Sequence, residues 1–255
     1  MKVLGIESSS LVAGIALVTD DILTAEYTVN FKKTHSQTLL PMIDEIGKML
    51  ELDFNTIDGI AVAGGPGSFT GLRIGAATAK GLGLALKKPL IHVPTVDAMA
   101  YNLWGVSGLV CPIMDARRCQ VYTGLYRMEH GMEILMEQCP MDMGELAEML
   151  NQKGEPVIFL GDGIPAYKEM ICEKVKVPFR FAPAPVNRQR AASVAALGME
   201  ALQCSLDPER RGYSKAVLTT AEDFTPDYLR KSQAERQREA LESPQGEAAK
   251  LPGDY

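Results

Sequence analysis

The alternation of apolar and polar residues predicts strands in the first thirty positions. Residues 3–6, 14–18 and 22–29 are short apolar runs, and polar turns at 7–10 and 20–21 separate them. Three strands joined by such short turns predict an antiparallel meander at the start of the chain.

Residues 35–50 change to the period of a helix. Leu39, Ile43 and Ile46 fall on one face, and neighbouring methionines make the apolar arc wide. Pro41 fits this helix if it lies in the first turn, where its missing N–H costs nothing. The wide arc indicates packing on both sides of the helix.

A buried strand, a glycine-rich turn and a second helix come next. The strand is expected at 57–63, the turn at 64–68 and the helix at 69–86. A further strand at 89–93 and a helix at 95–103 complete this unit. Strand–helix–strand order after a meander predicts an α/β fold with a mixed sheet.

Residues 105–108 mark a junction, after which the same order of elements returns. The second unit has strands at 109–114, 120–126, 133–139 and 156–160 and helices at 144–151 and 165–174. The repeated order predicts an internal structural repeat. A periodic helix at 190–203 follows, and the polar chain beyond residue 232 predicts a disordered tail.

Composition and charge remove several classes of protein. The chain has 255 residues, of which 46% are hydrophobic, and its formal charge of -6 argues against an autonomous nucleic-acid-binding protein. No apolar run reaches the roughly 18 residues of a membrane span, and the charged start does not resemble a signal peptide. Five scattered cysteines without a Cys/His cluster predict free thiols in the cytoplasm and no metal site.

The glycine-rich turn is a candidate anion site, because backbone amides at a helix start attract negative charge. No Gly-Lys-Ser/Thr follows it, so it is not a P-loop, and Thr70 replaces the third glycine of a dinucleotide fingerprint. A purely structural turn is the alternative. The candidate nucleotide or anion contacts are Glu7, Ser8, Ser9, Gly65, Gly67 and Ser68.

The second predicted helix carries a small residue at every fourth position. Glycine inside a helix costs about 0.5–1 kcal/mol relative to alanine, so this stripe needs a compensating contact, such as a closely packed helix. That helix belongs either to this chain or to another, and the wide apolar arc of 35–50 favours another chain. The predicted partner interface comprises His35, Leu39, Ile43, Ile46, Gly71, Gly75, Ala79 and Gly83.

Two polar turns and one absent motif complete the candidate chemistry. Residues 115–118 are read as a hairpin turn or as a charged surface beside a cleft. Asp162, between two glycines, belongs either to a nucleotide-side turn or to a plain loop. No G-x-S-x-G sequence or Ser–His–acid arrangement supports a serine hydrolase.

Several segments together resemble the bacterial TsaB (YeaZ) family of tRNA threonylcarbamoyladenosine biosynthesis proteins. The matching segments are residues 4–9, 35–41, 64–75, 93–98, 115–117 and 226–230. The block at 64–75 is the most specific. The likeness extends from residue 1 to about residue 236 and leaves out only the tail.

The resemblance implies the actin-like ATPase (ASKHA) superfamily fold, with two related mixed-sheet subdomains of which the second is reduced. The first subdomain is expected at 1–104 and the reduced one at 105–189. Residues 190–231 are expected to form a helix that returns to the first subdomain, with an extension. Residues 232–255 form the expected disordered tail.

The resemblance also implies a non-catalytic subunit of the complex that transfers a threonylcarbamoyl group to the adenosine next to the anticodon of tRNA. The implied partners are a TsaD-like catalytic subunit, bound through the helices at 35–50 and 69–86, and a TsaE-like ATPase. Alone, the chain is expected to form a homodimer. It would contact tRNA through the complex and bind no cofactor by itself. A nucleotide bound at a subunit interface is compatible with this resemblance.

The metal-binding histidines of TsaD-like enzymes align with Thr95 and Met99, which are not a plausible pair of ligands for iron or zinc. This departure implies that the chain holds no metal and is not an enzyme. The runner-up from another class is a stand-alone actin-like ATPase or small-molecule kinase, based on the turns at 7–9, 64–67 and 161–163. A self-associating scaffold is a third hypothesis.

Overall fold

A computed structural model of the protein describes residues 1–207, 209–210, 212–213 and 215–229. The first half contains strands β1 (Lys2–Glu7), β2 (Val12–Thr19), β3 (Ile22–Asn30), β4 (Gly59–Gly65) and β5 (Leu90–Pro94). Its helices are α1 (His35–Met49), α2 (Phe69–Leu86) and α3 (Thr95–Tyr101).

The second half repeats this order on a smaller scale. Its strands are β6 (Leu109–Asp115), β7 (Gln120–Arg127), β8 (Glu133–Asp142), β9 (Val157–Leu160) and β10 (Phe179–Phe181). Helices α4 (Met143–Lys153) and α5 (Ile164–Lys174) lie between these strands, and α6 (Ala191–Leu206) and β11 (Val217–Thr219) follow them.

Both halves build a mixed sheet from a meander and additional parallel strands. The first sheet has the order β11-β5-β4-β1-β2-β3, and the second has the order β10-β9-β6-β7-β8. Strands β1, β2 and β3 are antiparallel, while β4 pairs in parallel with both β1 and β5. The predicted meander and the two related mixed sheets are therefore confirmed.

The sequence missed β10 and β11, because strands of three residues are too short to show a period. Strand β4 extends to Gly65, which still pairs with Pro94, so part of the predicted turn is strand. The expectation that Pro41 lies in the first turn is wrong, since it lies well inside α1. Pro41 is exposed, and the backbone hydrogen bond it cannot make is lost on the solvent side of the helix.

Helices cover both faces of the first sheet. Helices α1 and α2 pack with Leu4, Ile6 and Ile60 on one face, and α6 packs with Val3 and Ala61 on the other. Helix α3 lies between the two halves of the molecule, where its apolar side chains pack against strands of the second sheet. The second sheet has its own core beneath α4 and α5.

The domain limits expected at residues 104 and 189 stay predictions. The predicted tail at 232–255 lies outside the described residues. In the described part of the chain, none of the helices combines the length and the apolar character needed to cross a membrane.

Candidate functional site

The β1–β2 turn and the glycine-rich turn pack directly against each other. Ser68 N donates to Ser9 O over 2.6 Å, and the Ser9 hydroxyl donates to Glu7 Oε1 over 2.5 Å. Ser8 is fully buried, and Gly65 N donates to Thr95 Oγ1 over 3.1 Å. These contacts bury Glu7, Ser8 and Ser9 between the two turns.

The anion-site prediction is therefore wrong for Glu7, Ser8, Ser9 and Gly65, because all four residues are buried and all four make polar contacts within the chain. Ser68 caps α2 as its side chain accepts a hydrogen bond from the backbone of the first turn. Gly67 is half-buried and Ser68 is exposed, so an anion contact at these two residues stays a prediction.

Two acidic groups in these loops have perturbed protonation. Burial raises the pKa of Glu7 to about 7, against the opposing effect of its hydrogen bonds from Ser9, and the negative charge of Asp162 adds to the rise. Burial also raises the pKa of Asp162, whose carboxylate accepts a 2.8 Å hydrogen bond from Gln189 Nε2. Glu7 is thus placed to change its charge near neutral pH.

The small-residue stripe of α2 faces the inside of the protein, not a partner. A Cβ added at Gly71 would lie 2.1 Å from Ser8 O, and one at Gly75 would lie 2.2 Å from Ser8 Oγ. Ala79 is fully buried, and Gly83 lies against Leu90. The close contact that offsets the cost of glycine in this helix is therefore made with the first hairpin and the sheet of the same chain.

The apolar residues predicted on α1 are buried in the same way. Leu39, Ile43 and Ile46 are at most 5% exposed and belong to the core beneath the two helices. The ring of His35 is also buried, with Nε2 2.7 Å from Ser10 O. The predicted partner interface is wrong for His35, Leu39, Ile43, Ile46, Gly71, Gly75, Ala79 and Gly83, because their side of each helix covers the sheet.

The opposite sides of α1 and α2 form an exposed surface that the sequence analysis did not identify. Leu40 is 56% exposed and Leu84 is 55% exposed, although both are large apolar residues. Ala77 and Gly81 are also exposed on α2, and a Cβ at Gly81 would meet no atom within 4 Å. We call Leu40, Ala77, Gly81 and Leu84 the outer helix face.

Residues 215–229 form a strap along the edge of the first sheet beside α2. Its strand β11 pairs antiparallel with β5, and Phe224 is buried in the core beneath α1 and α2. Asp227 N donates to Gly64 O over 2.7 Å, and the Asp227 carboxylate lies 3.3 Å from His92 Nε2. The motif at 226–230, which the sequence analysis quoted only as a likeness, therefore anchors the strap through its described residues.

A buried carboxylate joins the two halves of the molecule. Asp97 on α3 accepts hydrogen bonds from Tyr126 Oη on β7 at 2.6 Å and from Tyr213 Oη at 2.5 Å. Burial raises the pKa of Asp97 despite these two hydrogen bonds. Sequence spacing carries no signal for this cluster, since its members are far apart in the chain.

The two positions aligned with metal ligands serve packing. Thr95 is fully buried and holds the backbone of Gly65, and Met99 is buried among apolar side chains of α3 and the second sheet. Within the described ranges, no group of three or more His, Cys, Asp or Glu side chains is arranged to hold a metal ion.

The hairpin interpretation of residues 115–118 is correct. Asp115 Oδ1 accepts a hydrogen bond from Arg117 N at 2.7 Å and lies 3.1 Å from Tyr167 Oη. Arg117 and Arg118 both have positive φ angles, as a tight reversal between β6 and β7 requires.

Comparison with known proteins identifies the relatives of this fold. A family model described as TsaD, tRNA N6-adenosine threonylcarbamoyltransferase, matches residues 26–238. The tRNA threonylcarbamoyladenosine biosynthesis protein TsaB of Bacillus subtilis (strain 168) is 34% identical over 239 residues, or 92% of this chain and 96% of that protein. The TsaB of Escherichia coli (strain K12) is 35% identical over 131 residues, or 51% of this chain and 56% of that protein.

A solved structure shares the fold over nearly its whole length. YeaZ from Pseudomonas aeruginosa superimposes with a TM-score of 0.70 and 23% sequence identity, covering 89% of this chain and 99% of that one. The resemblance inferred from the sequence motifs is confirmed. This chain belongs to the TsaB family of tRNA threonylcarbamoyladenosine biosynthesis proteins, within the wider group that the TsaD family model matches.

Proposed function

We propose that this chain is a non-catalytic subunit in the synthesis of threonylcarbamoyladenosine in tRNA and that it acts by binding a TsaD-like catalytic subunit. The observation that carries the proposal is the 34% identity to the Bacillus subtilis TsaB over 92% of the chain. An alignment of this extent spans both sheets, so it covers the whole fold and not one motif.

The packing at the metal-aligned positions supports an accessory role over a catalytic one. Thr95 and Met99 are buried and contribute a backbone hydrogen bond and apolar contacts, in place of metal ligands. Glu7 is buried and bonded to Ser9, and Ser9 is bonded to Ser68 of the glycine-rich turn, so these groups are engaged within the chain. These features favour a subunit that supports chemistry performed by its partner.

The outer helix face is the surface that fits the partner best. Leu40 and Leu84 supply exposed apolar area, and Ala77 and Gly81 let the backbone of another helix approach closely. The proposed interface uses the same two helices that the resemblance implied, but their opposite sides. The same surface would form the homodimer when the chain is alone.

The remaining parts of the proposal concern the wider assembly. We expect the complex to work in the cytoplasm, to recruit a TsaE-like ATPase, and to contact tRNA mainly through the catalytic subunit. This chain, with its net charge of -6, would contribute little attraction to phosphates. We expect no nucleotide on the isolated chain, while a subunit interface is where one would bind.

Depletion of this protein followed by measurement of threonylcarbamoyladenosine in tRNA tests the function. We expect the modified nucleoside to fall and to return when the wild-type chain is supplied again. Unaltered modification in cells that lack the protein would refute the proposal.

A substitution on the outer helix face tests partner binding. Gly81→Leu places a branched side chain where a partner helix must approach, so we expect affinity for the TsaD-like subunit to fall by about tenfold or more. Gln152→Leu, an exposed position on α4, is the matched control and should bind as the wild type does. Equal affinity of both variants would exclude this surface.

The runner-up, a stand-alone actin-like ATPase or kinase, makes a different prediction. It requires the isolated chain to bind magnesium–ATP and to turn it over. The buried Glu7 turn argues against this activity. Turnover that is lost in a matched active-site variant would favour the runner-up over the accessory role.

A further inference from the structure

The guanidinium of Arg73 on α2 lies beside two aromatic rings at the surface. Its guanidinium carbon lies 3.9 Å from the centroid of Phe69 and 5.9 Å from that of Tyr228, and the two ring centroids are 4.7 Å apart. Arg73 Nε also donates to Tyr228 Oη over 3.3 Å. Stacking of this kind restricts a side chain that would otherwise sample many rotamers.

The strap fixes the second ring of this cluster. Tyr228 follows Asp227, whose backbone bonds to Gly64 and whose carboxylate faces His92. Earlier in the strap, Glu222 O accepts a hydrogen bond from Lys80 Nζ over 3.1 Å. Several independent contacts therefore hold the strap against α2 and β5, and the position of Tyr228 does not depend on Arg73 alone.

The charge of Arg73 is not used inside the described structure. No carboxylate of the described residues forms an ion pair with it, and its terminal nitrogens have no hydrogen-bond partner among those residues. The residue is exposed and lies four positions before Ala77, at the edge of the outer helix face. A guanidinium with its terminal N–H groups free can form two parallel hydrogen bonds to one carboxylate.

We propose that Arg73, held by Phe69 and Tyr228, is an anchor that binds a carboxylate side chain of the TsaD-like partner, an inference that rests on the proposed function. Arg and Tyr are the residues that most often dominate protein interfaces, and an arginine that is already ordered loses less entropy on binding. The anchor borders the outer helix face, so one partner could contact both.

A carboxylate fits this site better than an RNA phosphate. Nucleic-acid binding requires several cations that act together, and the nearby Lys80 already bonds to the strap. A single oriented guanidinium therefore suits one specific ion pair with a protein.

Calorimetric titration of the full chain with the TsaD-like subunit tests this proposal. We expect Arg73→Ala to weaken binding by about 30-fold or more, and Arg73→Lys to recover only part of the loss because lysine cannot make the paired hydrogen bonds. Tyr228→Ala should weaken binding less than Arg73→Ala does, since the guanidinium stays and is held by Phe69 alone. Arg180→Ala, an exposed arginine on β10, is the matched control and should bind as the wild type does.

The outcomes separate this inference from the proposed function. Wild-type affinity of a folded Arg73→Ala chain would overturn the anchor and leave the accessory role intact, whereas failure of the wild type to bind would overturn both. Reduced tRNA binding by the Arg73→Ala complex with unchanged subunit affinity would indicate a phosphate contact and overturn the carboxylate. An acidic residue of the partner whose change to Arg restores binding to Arg73→Glu would identify the carboxylate and support the proposal.

Discussion

Two glycines on α2 give a direct test of which side of this helix is buried. A Cβ at Gly75 would lie 2.2 Å from Ser8 Oγ, whereas a Cβ at Gly81 would meet no atom within 4 Å. We therefore expect Gly75→Ala and Gly81→Ala to change the free energy of unfolding in opposite directions, although both replace a helical glycine by the same residue.

The magnitudes follow from the surroundings of each position. Alanine is favoured over glycine inside a helix by about 1 kcal/mol, and Gly81→Ala should gain this stability because nothing opposes the added methyl group. At Gly75 the methyl group would displace the fully buried Ser8, whose hydroxyl donates to Gly71 O over 2.9 Å. Overpacking and the strained hydrogen bond outweigh the helix preference, so we expect a net loss of about 1–3 kcal/mol.

Urea denaturation followed by circular dichroism measures both changes. The wild type and the two variants should unfold with equal slopes, so that the midpoints report stability. If both variants were stabilised alike, Gly75 would not be packed against Ser8 of the first hairpin. The side of α2 that carries Gly75 would then remain open to a partner.

Two further substitutions probe the buried polar groups. Burial raises the pKa of Glu7 to about 7, so the folded chain keeps a proton that the unfolded chain releases near pH 4.5. The free energy of unfolding should therefore fall by about 3 kcal/mol as the pH rises between these values. Glu7→Gln should reduce this fall when urea unfolding is compared at pH 5 and pH 8, and an equal fall in the variant would contradict the burial of Glu7. Tyr213→Phe removes the 2.5 Å hydrogen bond to Asp97 and should cost about 1.5–3 kcal/mol of unfolding free energy, whereas the exposed Tyr27→Phe should cost almost nothing. Equal effects of the two variants in thermal or urea unfolding would show that this hydrogen bond does not stabilise the fold.

Features encoded by neighbouring residues are predictable from this sequence, and features that depend on distant contacts are not. The meander and the helix at 69–86 were predicted correctly because apolar periodicity and turn residues are local, and Ser68 marks the start of α2. Strands β10 and β11 were missed because three residues show no period, and β11 is a strand only through its pairing with β5. The cluster of Asp97, Tyr126 and Tyr213 was missed because only folding brings these residues together.

The stripe of small residues on α2 was recognised correctly in the sequence, but it was assigned to a partner interface and not to the inside of the protein. The sequence established that one side of α2 must meet another backbone closely, and the structure bears this out at Gly71 and Gly75. Periodicity gives the spacing of such residues along a helix but not the identity of the neighbour. In this fold the neighbour is the turn after β1, which lies more than sixty residues earlier in the chain.

The amino-acid sequence by itself determined the order of the elements, the repeat of two mixed-sheet units and, through the block at 64–75, the family. These properties are carried by local periodicity and by a contiguous motif, and both survive without knowledge of distant contacts. The tertiary structure decided which sides of α1 and α2 are free, closed the turn around Glu7, and set Tyr228 against Arg73. Each of these depends on segments far apart in sequence, whose approach is fixed by the packing of the whole sheet and not by any stretch of residues within it.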